Sequence, residues 1–253
     1  MMRFVEKSNL PLNCSLVIIC DKYCNKFRAG LDALQIQTLQ MPENPFLLRS
    51  VSYHTDLSVF HGGGKALFLS SSLRGSGFAD DLQKIGAELR FFSAKETPEY
   101  PGDVQGNICC LDRYYIHNPA TADPEIIRFR ADKGFVGIPV RQGYARCSVC
   151  VVNESSIITE DRKIAWKAEK AGIDALLIDP GYVQLNGYKY GFIGGATFKA
   201  SRSILCFTGV LERFPQKEQE QILTFLKERN IQPYYLTEDP LFDIGGAVPL
   251  IER

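Results

Sequence analysis

Apolar residues come in short runs of four or five, separated by turn residues, and the runs return in pairs. LSVF (57–60) and ALFL (66–69) flank Gly62-Gly63-Gly64, and SVCVV (148–152) and SIIT (156–159) flank Asn153-Glu154-Ser155. ILCF (204–207) follows Lys199-Ala200-Ser201. A turn between two β-rich runs predicts a hairpin.

Helical patterning follows each pair. DRKIAWKAEKA (161–171) carries apolar residues at 164, 165 and 168, with Gly172 standing where a C-terminal cap would. DDLQKIG (80–86) and QKEQEQILTFLKERN (216–230) behave similarly. A further β-type run comes next in each case: AELRFFS (87–93), DALLID (174–179) and IQPYYL (231–236).

The unit is therefore strand, strand, helix, strand, with a period near 45 residues. Its five occurrences open in 52–71, 106–118, 144–160, 190–209 and 242–252. Repetition at 20–50 residues points to an array or a propeller-like closure. No linker or low-complexity stretch interrupts it, so one domain is expected over 1–253.

Composition narrows the classes. Hydrophobic residues make up 45% of the 253 positions, enough for a substantial core. Lys+Arg and Asp+Glu are equal at 29 each, which gives no basic character to attract nucleic acid and no acidic tail. The apolar run Leu16 to Cys20 is too short for a signal peptide core or a membrane span. A soluble, cytoplasmic protein with no membrane partner is expected. Most of the eight cysteines lie in apolar runs, where a reduced thiol packs as a small hydrophobe, and no disulfide framework is expected.

Two stretches carry candidate chemistry. In His54-Thr55-Asp56, read as a strand, side chains 54 and 56 share a face, so an imidazole and a carboxylate line one surface. That pairing suits proton transfer and the binding of a cation; a solvated strand edge is the plainer account. YARCSVCVVN (144–153) holds Cys147 and Cys150. A metal knuckle, a redox pair, a nucleophile beside a core thiol, or two packed thiols would all give this spacing. The β-branched Val149, Val151 and Val152 favour a strand, on which the two thiols face opposite ways. That disfavours a shared ion, which also lacks a second ligand pair, and a redox motif would open a helix. Cys147, beside Arg146 at the polar end, is the better nucleophile candidate, and Cys150, among valines, reads as core.

Three segments, SYHTDLSV (52–59), YPGDVQGNIC (100–109) and RCSVCVVN (146–153), resemble the pentein superfamily of guanidino-group-modifying enzymes, the dimethylarginine dimethylaminohydrolases in particular. The resemblance covers roughly 50–160. It implies an α/β fold, a five-bladed α/β propeller of ββαβ modules with pseudo-fivefold symmetry around a central site, matching the five units. The family's cysteine module lies near its C-terminus, so the order here implies circular permutation.

The resemblance further implies that Cys147 attacks a guanidinium-type carbon and that His54 shuttles protons. Asp56 and Asp243, the latter from Asp243-Ile-Gly-Gly246, would hold the planar cation, with Asn107 and Arg146 as further substrate-binding candidates. Arg146 would either lower the thiol pKa or repel a cationic substrate. A cysteine-dependent hydrolase or transferase on a guanidino- or amidino-type small molecule is expected, with no cofactor and no metal. The alternative, which the superfamily also contains, is a non-catalytic binding protein with a protein or ribonucleoprotein partner.

Overall fold

The computed structural model describes residues 2–253; Met1, the first residue of the domain expected over 1–253, lies outside them. The chain opens with β1 (Arg3–Phe4), β2 (Cys14–Cys20), α1 (Asp21–Ala33) and β3 (Gln37–Met41). A one-turn helix, α2 (Thr55–Ser58), then leads into β4 (Val59–His61), β5 (Ala66–Leu69), α3 (Gly77–Lys84) and β6 (Glu88–Phe91). The third stretch is β7 (Cys109–Leu111), β8 (Tyr114–His117), α4 (Pro124–Asp132) and β9 (Val136–Pro139). The fourth is β10 (Val149–Asn153), β11 (Ser156–Thr159), α5 (Arg162–Lys170) and β12 (Asp174–Leu177). The fifth is β13 (Thr197–Lys199), β14 (Ile204–Phe207), α6 (Gln216–Glu228) and β15 (Gln232–Tyr235), and β16 (Val248–Glu252) follows.

Every sheet repeats one wiring. The first two strands pair antiparallel through a short turn, as in Phe60 opposite Phe68 and Phe198 opposite Cys206. The third returns parallel to the second after the helix, as in Leu205 opposite Pro233. A parallel return needs a crossover of a dozen or more residues, which each helix supplies. The middle strands β5, β11 and β14 are apolar almost throughout because both their faces are covered: ALFL and SIIT are wholly buried. The third strands are partly exposed, so ELRF and DALL mix charge with apolar residues.

Helix ends follow local chemistry. Asp161 accepts the amides of Lys163 and Ile164 at the start of α5, and Asp123 accepts those of Glu125 and Ile126 at the start of α4. Gly172 follows α5 at φ +81°, the left-handed conformation anticipated for it.

The first module is assembled from both ends of the chain. β16 lies between β1 and β2, in the order β1-β16-β2-β3. β16, β2, α1 and β3 thus form the same ββαβ unit as the other four. The five leading strands meet one another: β7 against β10, β10 against β13, β13 against β16, and β16 against β4. With the first and last strands in one sheet, a ring of this kind can be opened at a different loop without moving a strand. Among the described residues no helix is long and apolar enough to cross a membrane.

Two local expectations change. His54 to Asp56 do not form a strand: His54 precedes α2, whose backbone is held by Asp56 N–H donating to the Gly245 carbonyl at 3.0 Å. The strand expected across 146–152 begins only at Val149. Residues 144–148 form a helical turn, with Ser148 N–H on the Tyr144 carbonyl at 2.9 Å. In both, backbone groups a ladder would need are taken by distant partners: Gly245 for Asp56, and the Asn107 side chain for Arg146 and Cys147.

Candidate active site

The functional candidates occupy equivalent places. Asn107 stands two residues before β7, Cys147 two before β10 and Gly195 two before β13; His54 and Asp56 precede β4, and Asp243 precedes β16. The ring of leading strands therefore brings all of them to one end.

Cys147, 1% exposed, donates its thiol to Asp56 Oδ2 at 2.9 Å. Asn107 Nδ2 lies 3.1 Å from the same sulfur. Asn107 Oδ1 accepts the amides of Arg146 at 2.8 Å and Cys147 at 3.2 Å, which fixes the turn that presents the thiol. His54 Nδ1 stands 4.0 Å from Asp243 Oδ1, and His54 Nε2 is buried without a partner. Asp56 Oδ1 is likewise unpartnered. A buried polar atom without a partner is costly.

Asp243 is held by backbone alone. Its Oδ1 accepts Gly245 N–H at 2.8 Å and its Oδ2 accepts Phe192 N–H at 2.9 Å. The two Gly pairs make room for this. Gly245 lies at φ +71°, and a Cβ there would sit 2.4 Å from His54 Cβ. A Cβ on Gly195 would fall 1.9 Å from Asp243 Oδ1, so the module between those of Cys147 and Asp243 contributes empty space and backbone instead of an acid.

Burial dominates the titration. It pushes the Asp56 carboxyl up from 3.8 to about 6, against the pull of His54 and Arg146. The Cys147 thiol is pushed well above its usual value by burial, then by the charges of Asp56 and Asp243. Glu160, also raised by burial, to about 8, accepts Ile193 N–H at 3.0 Å behind the Asp243 loop.

A cavity of about 370 Å³ reaches the thiol, lined by Val51, His54, Tyr144, Cys147, Leu185, Tyr188, Lys189, Tyr190, Phe192 and Asp243. A larger cavity of about 670 Å³ near Phe4, Leu16 and Ile251 carries no thiol and no imidazole on its walls. Of the six residues singled out in the sequence, His54, Cys147 and Asp243 line the smaller cavity. Asp56, Asn107 and Arg146 do not: the first two bond the sulfur from beneath. The Arg146 guanidinium donates to the carbonyls of Gly194 at 3.0 Å and Val149 at 3.4 Å. Cys150 packs in the core with Val152, Ile158 and Leu205.

Sequence reasoning missed the aromatic wall. Its signal was the cluster Tyr188-Lys189-Tyr190-Gly191-Phe192, an aromatic run outside any strand or helix. Whether the residues that the resemblance assigns to one site converge was left open by the sequence; in the fold His54, Asp56 and Cys147 offer ligand-type atoms within 4.8 Å of one another. Those donors come from two modules, so no spacing in the chain reveals them as a set, and they are close enough together to hold a metal ion.

A family model described as a family of unknown function, DUF6873, matches residues 18–248. The chain belongs to that family. No curated protein matches it. Solved structures similar to this DUF6873 chain include an inosamine-phosphate amidinotransferase from Streptomyces griseus (TM-score 0.57, 8% identity, 98% of this chain and 97% of that one). Another is a dimethylarginine dimethylaminohydrolase from Pseudomonas aeruginosa, a Cys→Ser variant complexed with citrulline (0.55, 10%, 90% and 94%). A third is an amidinotransferase of saxitoxin biosynthesis from Microseira wollei (0.53, 10%, 91% and 91%). The fold of this DUF6873 member is the pentein-type α/β propeller of five ββαβ modules.

Proposed function

We propose that this protein is a cysteine-dependent enzyme acting at the central carbon of a guanidinium- or amidinium-type small molecule. The carrying observation is the convergence of the Cys147 thiol and the His54 ring on a cavity that Asp243 also lines, with the Asp56 carboxylate bonded to the sulfur from beneath. Asp243 on the cavity wall and Asp56 behind the thiol are carboxylates, the acceptors that the N–H edges of a planar cation bind. They also add to the burial that raises the thiol. Until a cation arrives, a thiolate would add negative charge beside two acids. A bound guanidinium offsets both, so the substrate itself favours the attacking form.

In the proposed reaction Cys147 Sγ forms a C–S bond and one C–N bond breaks. The thiol proton passes by way of His54 to the departing amine. A water that gives its proton to His54 then forms a C–O bond as the C–S bond breaks, leaving a ureido product from a guanidine or an amide from an amidine; an amine in place of water gives group transfer. The cavity weighs against the non-catalytic reading, which has no use for a small-molecule site there. Asn107 and Arg146 act in this reading by holding the Cys147 turn.

The test is alkylation by iodoacetamide, with the adduct mapped by mass spectrometry, beside turnover of a panel of guanidines followed as released amine. Cys147 should react ahead of Cys150, and Cys147→Ser should remove turnover. Turnover that survives Cys147→Ser, with Cys147 no more reactive than Cys150, ends this reading.

A further inference from the structure

The cavity walls bear on what hangs from the reacting carbon. The candidate reacting groups His54, Cys147 and Asp243 lie together on one part of the lining. Above it stand Val51, Leu185, Tyr188, Tyr190, Phe192 and the Tyr144 ring. Tyr144 presents its ring and not its hydroxyl, because that hydroxyl donates to Asp103 Oδ2 at 2.6 Å. The ring stacks with Phe192 at a centroid distance of 6.2 Å. Lys189 is the one cation on the lining among the described residues, and it is exposed.

We infer that the substrate is a monocationic guanidine or amidine whose nitrogen carries an apolar alkyl or aryl group, and not an amino acid; this rests on the guanidine reading above. An amino-acid substrate would place a carboxylate against aromatic rings, and burying an unpaired anion is costly. Lys189 compensates poorly, since an exposed ion pair is screened by water. A substrate with a second cation at its far end finds no acid on the lining beyond Asp243 to pair with. An apolar substituent instead covers ring faces and gains the ordinary benefit of burial. At about 370 Å³ the cavity lies toward the small end of ligand sites, a size that suits a group such as benzyl.

The experiment is titration calorimetry on the Cys147→Ser protein, which prevents turnover, with methylguanidine, benzylguanidine, L-arginine and agmatine. Benzylguanidine should bind on the order of 30- to 100-fold more tightly than methylguanidine, from burying roughly 100 Å² of apolar surface. It should bind at least about tenfold more tightly than arginine or agmatine, by the same burial argument. Tyr188→Ala should shrink the benzylguanidine margin over methylguanidine, which is too short to reach that ring. Arginine or agmatine binding as tightly as benzylguanidine overturns the inference. The guanidinium site itself survives that result if Asp243→Asn abolishes methylguanidine binding. If none of the four ligands binds, both readings fall together.

Discussion

Replacing Asp56 by asparagine should stabilise the protein at pH 8 and leave it unchanged or slightly weaker at pH 4. Asp56 is 3% exposed; one carboxylate oxygen receives the Cys147 thiol and the other has no partner. Burial raises its pKa from 3.8 to about 6. A group whose folded pKa is raised contributes stability that is fully present below its unfolded pKa. That contribution is lost as pH rises through the folded value. From 3.8 to about 6, at about 1.4 kcal/mol per pH unit, the ionised carboxylate costs the folded state about 3 kcal/mol at pH 8. Asparagine is neutral at both pH values and keeps an oxygen for the thiol. Its amide N–H faces the position where Oδ1 lacks a partner, a cost of about 1 kcal/mol. The expected gain at pH 8 is therefore about 2 kcal/mol, turning into a loss of about 1 kcal/mol at pH 4. Glu160, raised to about 8, titrates in both proteins and cancels. Urea unfolding of wild type and variant at the two pH values, followed by far-UV circular dichroism, measures the difference. An effect of Asp56→Asn equal at pH 4 and pH 8 within about 0.5 kcal/mol would refute the argument, since the linkage would then be absent.

The second carboxylate should behave in the opposite sense. Asp243→Asn turns an amide N–H toward one of two backbone donors, Gly245 N–H or Phe192 N–H, and should cost about 2–4 kcal/mol at pH 7. A thermal midpoint about 5–15 °C lower is expected for a domain of this size, and a midpoint within about 2 °C of wild type counts against the backbone anchoring. The two site glycines separate conformational strain from collision. Gly246→Ala meets nothing nearer than the end of the Arg146 side chain at 3.3 Å and should lose only the roughly 1–2 kcal/mol of a left-handed alanine. Gly245→Ala adds a 2.4 Å approach to His54 Cβ, so it should cost more than its neighbour and displace the imidazole. Equal losses in denaturant titrations of the two variants would show that Gly245 does not set the position of His54.

Much of the module pattern is legible in the chain. The hairpins expected at 57–69 and 148–159 rest on nearest-neighbour chemistry, turn residues between β-branched and aromatic runs, and both form, with first strands that begin at Val59 and Val149 because Leu57-Ser58 end α2 and Ser148 ends a turn. The helix at 161–171 carries its own start and stop in Asp161 and Gly172. The unit that opens in 242–252 was legible only in its leading run, because that strand, β16, is more than 200 residues from its partner β2. No local pattern records that pairing.

Within the candidate site, Cys147 was separated from Cys150 by strand alternation, yet the residue turns out to precede the strand. The assignment of Cys150 to the core came from its surrounding valines, and those are local. What places Cys147 at the cavity is Asn107, forty residues away, taking the amides of Arg146 and Cys147 out of any ladder. The same holds for His54, turned onto a helix start by a bond from Asp56 N–H to Gly245.

By itself, then, the sequence determined the repeating unit and the glycines beside the candidate residues, because these depend on side-chain period and backbone freedom over a few residues. The tertiary structure alone decided that His54, Asp56, Cys147 and Asp243 meet, that Arg146 turns to the Gly194 and Val149 carbonyls, and that an aromatic wall stands over the thiol. The physical reason is that the site is made at the ends of different modules, where ring closure and buried hydrogen bonds override local preference.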